Sequence, residues 1–303
     1  MSTPRITQRL MVQRSLSSLQ LGLGRLATTQ EKLSTGRTIN RPSDSPTGTN
    51  QAMRLRQQLA ADAQHSRNAQ DGLSWMGAAD STLTSMLDST RRARDLILQA
   101  SSTGSNGPDA RNAIAQELTQ IREALLAQAN TQHMGRPLFG GTTGNAVAYE
   151  EATDASGVTT VSYVGDGNDV NRTIGDGVNV KVNTNGPAAF GADGSNLFDV
   201  LDTAIDKVKN DPSSLGTTLG DLDDVMETMR TALADVGTRY GRVESAMTRL
   251  DGTTLDNQKA LSDVENVDIA KAIVDLQMQE VAYQSALGAT ARVLQPSLLD
   301  FLR

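Results

Sequence analysis

The sequence contains no cysteine, which excludes disulfide bonds, thiolate zinc sites and cysteine nucleophiles. Aromatic residues are also scarce, with 4 Phe, 4 Tyr and 1 Trp in 303 residues. Because aromatic rings usually fill much of a globular core, this scarcity favours long helices that pack through aliphatic side chains. No apolar run approaches the ~18 residues of a membrane-spanning helix, and Arg5 and Arg9 interrupt any secretory signal peptide. We therefore expect neither membrane insertion nor a cleavable signal peptide.

Negative charge predominates, since 28 basic and 35 acidic side chains give a formal net charge of −7. Nucleic-acid binding usually needs a basic surplus, so the charge balance argues against a nucleic-acid partner. Residues 1–100 carry a balance of +6, whereas residues 101–303 carry −13. The two parts of the chain are electrostatically suited to one another, or to copies of each other in an assembly.

Apolar residues recur with alternating steps of three and four over most of the chain, which places them on one stripe of a helix that packs against another helix. The longest stripe begins at Leu215 and continues to Val264. Asp109 and Asp268 are the predicted N-caps of two later helices. Stripes near both ends supply the candidate assembly contacts: Leu16, Leu19, Leu23, Leu26 and Leu33 in the first helix, and Ile269, Ile273, Leu276, Tyr283, Leu287 and Leu294 in the last. The predicted fold class is mainly α, an elongated coiled-coil-like helical bundle formed by the N- and C-terminal regions, with a small inserted β domain.

The pattern changes between Gly140 and Asn196, where 11 of the 26 glycines fall. Alternating runs over 158–164 and 178–182 predict strands, and Asp-Gly or Asn-Gly pairs predict turns at 166–167, 176–177 and 185–186. We expect this β-rich insertion to be dispensable for folding. The predicted division of the chain is into terminal coiled-coil assembly helices (1–47 and 265–303), a helical bundle domain (48–140 and 197–264) and the β-rich insertion domain (141–196).

Residues with catalytic or metal-binding chemistry are few and isolated. His65 and His133 have no partner at metal-ligand spacing and are interpreted as polar surface or bundle residues. Arg91, Arg92 and Arg94 form a basic cluster without nearby aromatic residues for base stacking. We interpret the cluster as a solvated helix face or an intersubunit contact with acidic C-terminal helices. The sequence therefore predicts no enzyme, no metal site and no cofactor.

Three segments resemble motifs of the bacterial flagellin family. Residues 33–46 (LSTGRTINRPSDSP) resemble the turn after the first helix of that family, and residues 68–73 (NAQDGL) continue the match. Residues 264–272 (VENVDIAKA) resemble the entry into the last helix. The order of parts is also similar, with helical ends on either side of a variable β region. The resemblance implies a structural subunit of the bacterial flagellum, without enzymatic activity or cofactor.

Within the family, the chain resembles the hook-associated protein 3 type, which forms the junction between hook and filament. Flagellins usually carry a double Asp followed by Ala-Ala-Gly where this chain has the proline-flanked residues 42–46. Residues 135–141, 163–167 and 297–302 also resemble the junction type, although Pro296 departs from the continuous helix expected there. The alternative within the family is a flagellin filament subunit with a short variable region.

The resemblance further implies export through the flagellar type III apparatus, an extracellular location and self-association into a ring. The implied partners are the other hook–filament junction protein, flagellin and a cytoplasmic export chaperone. A hypothesis of another class, a cytoplasmic signalling or adaptor coiled coil, explains the heptads but leaves the family motifs as coincidences. An enzyme within the β insertion lacks any acid–base or nucleophile set.

Overall fold

The computed structural model describes residues 3–102, 107–153 and 159–294, and the side chains of 3–9, 293 and 294 are not part of that description. It confirms a mainly α fold in which long helices pair and small antiparallel sheets are inserted in the middle. The helices, apart from one short 3₁₀ turn at Pro212–Ser214, are α1 (Thr3–Thr35), α2 (Pro46–Ser101), α3 (Pro108–Ala129), α4 (Gly186–Phe190), α5 (Leu197–Asn210), α6 (Leu215–Glu265) and α7 (Ile269–Leu294). The strands are β1 (Gln132–His133), β2 (Arg136–Pro137), β3 (Tyr149–Thr153), β4 (Thr159–Tyr163), β5 (Asn171–Gly175) and β6 (Val178–Lys181).

The chain forms two compact units. The terminal unit comprises residues 1–60 and 254–303, and the central unit comprises residues 61–253. The boundaries fall inside α2 and inside α6. The division into terminal helices, bundle and insertion made from the sequence stays a prediction.

The core of the central unit follows the heptad stripe of α6. Its innermost members are Leu215, Leu222, Met226, Met229, Val236 and Val243. Tyr240 belongs to the same stripe but is 37% exposed, and the neighbouring Arg239 is buried instead. Val243 is fully buried again, so the departure from the predicted stripe is confined to this turn of α6.

The buried guanidinium of Arg239 connects α6 to the last residue of β6 and to the chain that follows it. It donates hydrogen bonds to the carbonyl oxygens of Lys181 (3.0 Å) and Asn183 (2.8 Å) and to Oγ1 of Thr184 (3.0 Å). It also pairs with Asp235 one turn earlier, at 2.8 Å. Each of these partners interacts with an N–H group of the guanidinium, and such a group is costly to bury without a partner.

The strands form three separate antiparallel pairs, β1–β2, β3–β4 and β5–β6. The predicted turn at 176–177 is confirmed, because it joins β5 to β6 and Gly177 has the positive φ of 70° that such turns require. The turn predicted at 185–186 is wrong, since Gly186 begins α4. The predicted cap Asp109 is also wrong, because Gly107 occupies the N-cap position and Pro108 the first turn, with no side-chain cap.

The β-rich insertion shares one core with the helices, which speaks against its being dispensable. The ring of Tyr149 on β3 lies 5.2 Å from Phe198 of α5 and 5.9 Å from Phe190 of α4, between ring centroids. Phe139 lies 4.9 Å from Phe190. All four rings are fully buried, so four of the nine aromatic residues of the chain are concentrated where the insertion meets the helices.

An ion-pair network joins the same parts. Arg122 of α3 is buried and lies 2.7 Å from Glu151 of β3 and 2.5 Å from Asp202 of α5. Burial raises the pKa of Asp202, although its hydrogen bond from Arg122 acts in the opposite direction. The insertion is therefore held to the helices by charged as well as aromatic contacts.

Candidate assembly surface

The first and last helices pair in the terminal unit. In α1 one set of half-buried residues consists of Val12, Ser15, Leu19, Gly22, Leu26, Thr29 and Leu33. In α7 the buried or half-buried residues at the same spacing are Ala272, Leu276, Gln279, Tyr283, Ala286 and Thr290. Both sets advance by alternating steps of three and four, as in a coiled coil.

Two contacts show the direction of this pairing. Thr29 donates a hydrogen bond to Oε1 of Gln279 at 3.1 Å. A methyl group added at Gly22 would lie 3.5 Å from Cδ2 of Tyr283, which places Gly22 opposite the tyrosine ring. Since the earlier residue of α1 meets the later residue of α7, the two helices are antiparallel.

The pairing of α1 with α7 covers some residues of the two predicted stripes and leaves the others exposed. Leu19, Leu26, Leu33, Leu276 and Tyr283 are half-buried on the paired faces. The other predicted contacts lie outside that interface and are between 44% and 59% exposed: Leu16, Leu23, Ile269, Ile273 and Leu287. Leu294 ends α7, and its side chain lies outside the described part of the structure.

Further exposed apolar residues lie on these helices but were missed by the sequence analysis. They are Leu10, Met11, Leu21, Val274, Met278 and Val281. Val274, Met278 and Val281 are themselves spaced by four and three residues, but they lie off the predicted stripe, so a search for a single stripe passes over them. The two helices together present more exposed apolar side chains than one paired face requires, which is typical of an interaction surface. We call the five exposed predicted residues and these six the terminal apolar surface.

The two family-like motifs at 33–46 and 264–272 contact each other. The amide of Thr38 donates to the carbonyl oxygen of Glu265 at 2.6 Å, and the amide of Val267 donates to that of Gly36 at 3.0 Å. The hydroxyl of Thr38 adds a bond of 3.0 Å to the carbonyl of Asn266. This short antiparallel bridge connects the end of α1 to the segment between α6 and α7.

The proline-flanked turn is organised by its own side chains. The Asp44 carboxylate accepts hydrogen bonds from the amides of Asn40 (3.0 Å) and Arg41 (2.8 Å). The hydrogen bonds from these two backbone amides, of which that from Arg41 has the larger effect, hold the pKa of Asp44 below its usual value. Ser45 caps α2 by accepting from the amide of Gly48 at 3.1 Å, and Pro46 fits the first helical position because it has no amide hydrogen to satisfy.

The start of α7 also matches its sequence signal. The carboxylate of Asp268 accepts a hydrogen bond from the amide of Lys271 at 3.1 Å, which confirms the predicted cap. The negative charge of Asp268 is also favourable at this position, because the N-terminal end of a helix carries a partial positive charge.

The three arginines of the basic cluster on α2 form ion pairs with acidic side chains of the same chain. Arg91 pairs with Asp88, Arg92 with Glu117 and Arg94 with Asp223, at 2.6–2.7 Å. The partner of Arg94 lies on the acidic helix α6, and all three arginines are partly or largely exposed. The cluster is therefore a solvated helix face, and the contact of Arg94 with the acidic helix α6 lies within the chain.

The histidines have ordinary polar contacts. Nε2 of His133 lies 3.2 Å from Oγ of Ser74, and its ring lies edge-on to Trp75. Nε2 of His65 lies 3.5 Å from Asp176. No group of three or more His, Asp or Glu side chains suited to a metal ion occurs among the described residues. Within the same ranges, no helix is long and apolar enough to cross a membrane.

Comparison with known proteins shows one family. Residues 6–143 match the family model of the bacterial flagellin N-terminal helical region, and residues 219–302 match that of the bacterial flagellin C-terminal helical region. The flagellar filament 33 kDa core protein of Treponema phagedenis is 30% identical, with 97% of each chain covered. The flagellar hook-associated protein 3 of Salmonella typhimurium is 24% identical, with 93% of this chain and 94% of the relative covered.

Solved structures agree on the fold. The crystal structure of flagellar hook-associated protein 3 from Legionella pneumophila superposes with a TM-score of 0.62 at 12% identity, covering 69% of this chain and 98% of that chain. The paired terminal helices, the bridge between the two motifs and the two matched helical regions lead to one conclusion. The chain belongs to the bacterial flagellin family, and it is homologous both to hook-associated protein 3 and to flagellins.

Proposed function

We propose that this protein is a structural subunit of the bacterial flagellum that forms the junction between hook and filament. The observation that carries the proposal is the terminal apolar surface on α1 and α7, of which Leu16, Leu23, Ile269, Ile273 and Leu287 are the predicted part. Two helices cannot by themselves exclude water from all of their apolar side chains. Packing of further copies against this surface removes it from water. Because these side chains are already about half covered, each contributes roughly half of the ~1.5–3 kcal/mol gained by burying a fully exposed one.

The charges of the two terminal segments support contact between copies. Residues 1–45 carry a balance of +5, whereas residues 255–303 carry −3. Opposite charges on the two segments favour contacts in which α1 of one copy approaches α7 of another. A contact of this kind is heterologous, so its repetition produces a ring or a helical array.

The turn at 42–46 favours the junction over the filament. Its two prolines, the Asp44 carboxylate and the Ser45 cap form one hydrogen-bonded unit at the start of α2. The proline-flanked sequence resembles that of the hook-associated protein 3 type. A filament subunit is the second candidate, favoured by the 30% identity to the Treponema phagedenis filament core protein.

The proposal includes a location and partners. The subunit is exported through the flagellar type III apparatus, lies outside the cell and self-associates into a ring. Its neighbours are the other hook–filament junction protein and flagellin, and a cytoplasmic export chaperone holds its C-terminal segment before export. No catalytic role and no cofactor are part of this function.

A deletion strain tests the junction role. We expect cells without the gene to swim poorly and to shed filaments into the medium, and the parent gene on a plasmid to restore attached filaments. A deletion strain that still builds attached filaments would contradict the proposal. Purified protein separates the two candidates, because a filament subunit extends flagellar filaments by itself, whereas a junction subunit forms no long polymers.

A further inference from the structure

The hairpin of β5 and β6 ends in an Asp-Gly pair that projects into solvent. Asp176 and Gly177 form the turn between the two strands, and the side chain of Asp176 is fully exposed. Its polar contact within the described ranges is with Nε2 of His65, at 3.5 Å. Because that distance is at the long limit of a hydrogen bond, the carboxylate is free to turn toward the next backbone amide.

The backbone amide of Gly177 is also unhindered. In the part of the chain that the structure describes, this amide donates no hydrogen bond to another backbone group. Gly177 has a φ of 70°, and a carbon added at its Cβ position would meet no heavy atom within 4 Å. Since glycine has no side chain to shield its nitrogen, Cγ of Asp176 can approach that nitrogen closely enough to close a five-membered ring.

The fold restrains the other four Asp-Gly pairs of the chain, which are 71–72, 166–167, 193–194 and 251–252. The first and the last lie inside α2 and α6, where helical hydrogen bonds hold the backbone. The carboxylate of Asp166 accepts hydrogen bonds from Thr142 and Asn168. The amide of Gly194 donates to the carboxylate of Asp199 at 2.8 Å. Each of these pairs therefore has either its carboxylate or its backbone amide held in place.

We propose that Asp176 is a modification site, at which the folded protein converts aspartate to isoaspartate without an enzyme. The nitrogen of Gly177 bonds to Cγ of Asp176 and gives up its hydrogen, while one oxygen of the protonated carboxyl group leaves as water. A second water molecule opens the cyclic imide at the former backbone carbonyl. The main chain then runs through Cγ, and the carboxylate remains on Cα. The reaction consumes no oxidant and leaves the mass of the chain unchanged.

Isomerisation alters the turn that joins the two strands. The main chain between residues 176 and 177 gains one carbon atom, and the carboxylate moves to a different carbon. Because the length of a tight turn fixes the register of a hairpin, the added atom weakens the pairing of Gly175 with Val178. The reaction does not depend on the flagellar role proposed above.

Peptide mapping of aged protein tests the site. The purified full chain is kept in warm neutral buffer and digested with trypsin, and the aspartyl and isoaspartyl forms of each peptide are separated and identified by electron-transfer fragmentation. Trypsin releases residues 173–181, in which Asp176 is the single aspartate. We expect isoaspartate at Asp176 to exceed that at each of the other four pairs about fivefold or more, because its turn leaves both reacting groups unrestrained. In urea-unfolded protein we expect similar rates at all five pairs, since each aspartate is followed by glycine.

Methyl labelling by an isoaspartyl methyltransferase with labelled S-adenosylmethionine gives an independent readout. Asp176→Glu keeps the charge but requires a larger ring that closes more slowly, so we expect it to remove most of the label that the folded protein acquires. The matched control is Asp251→Glu, which changes an exposed Asp-Gly pair inside α6 and is expected to leave the label at the parent level. Equal isoaspartate at all five pairs of the folded protein, a selectivity that persists in urea, or an unchanged label in Asp176→Glu would overturn the site.

Discussion

Arg56 of α2 lies 2.7 Å from Oε1 of Glu265, the last residue of α6, and this pair closes the bridge between the two family motifs. The side chain of Glu265 is only 9% exposed, whereas that of Arg56 is 51% exposed. The carbonyl of the same glutamate accepts the amide of Thr38. One residue thus joins the end of α6 to α2 through its side chain and to the chain after α1 through its backbone.

Removing Arg56 leaves a nearly buried carboxylate without its cation. We expect Arg56→Ala to lower the free energy of unfolding by about 1–3 kcal/mol, a range that allows for the half-exposed position of the arginine. Urea denaturation measures the loss. The matched control is Arg41→Ala, which breaks an exposed pair with Glu31 and is expected to cost less than about 0.5 kcal/mol. Equal losses for both variants would show that the Glu265 pair has no special role.

Substitutions of Tyr149 separate the contribution of its aromatic ring to stability from that of its hydroxyl. The ring is fully buried among Phe190 and Phe198, and burial raises the pKa of its hydroxyl. The hydroxyl oxygen has no hydrogen-bond partner in the described part of the protein. We therefore expect Tyr149→Phe to be neutral or stabilising by up to about 1 kcal/mol, and Tyr149→Ala to cost about 3–5 kcal/mol. Thermal or urea unfolding of the full chain distinguishes them.

From the ring contacts of Tyr149 we can also predict the effect of removing the insertion. Replacing residues 141–196 by a short linker deletes Tyr149, which is the ring partner of Phe198 of α5, together with Phe190, which packs on Tyr149. We expect a cooperative transition at clearly lower denaturant, or loss of the α5 packing. A shortened protein as stable as the parent would restore the view that the insertion is dispensable.

Asp166 supplies a pH-dependent contact at the edge of the insertion. Its carboxylate accepts from the amide (2.6 Å) and the hydroxyl (2.5 Å) of Thr142, which with Asn168 hold the pKa of Asp166 below its usual 3.8. Because the folded pKa is lower than the unfolded one, this stabilisation is complete above pH 3.8 and is lost as the pH falls through the folded value. We expect an NMR titration to show the Asp166 carboxyl titrating below 3.8, and Thr142→Val to move its pKa upward. An unchanged pKa in that variant would contradict the assignment to Thr142.

Amide exchange compares the terminal helices with α6. In α1 and α7 only one face is half-buried, whereas the α6 stripe from Leu215 to Leu250 contains many fully buried residues. We expect fast exchange in the purified monomer at 16–33 and 269–294 and slow exchange at 215–250. In assembled flagella the terminal segments are expected to become protected. Equal protection of all three segments in the monomer would remove the proposed link between ordering and assembly.

The sequence by itself determined the elements whose causes are local. The α6 stripe, the cap at Asp268 and the hairpin turn at 176–177 depend on side chains within a few residues of each other, and each was predictable. The terminal stripes were also visible as apolar periodicity. Their division into a paired face and an exposed face was not, because periodicity identifies the apolar side of a helix and not the direction from which its partner approaches.

Tertiary structure alone decided the contacts between distant segments. The aromatic core that joins the insertion to α5 brings together Phe139, Tyr149 and Phe198, which no spacing in the sequence relates. Arg239 occupies a buried position beside the exposed Tyr240 because carbonyl groups at and just after the end of β6 lie against α6 at that point. A heptad pattern predicts that a side chain is buried. Which polar groups are available as hydrogen-bond partners for a buried side chain depends on the packing of the whole unit.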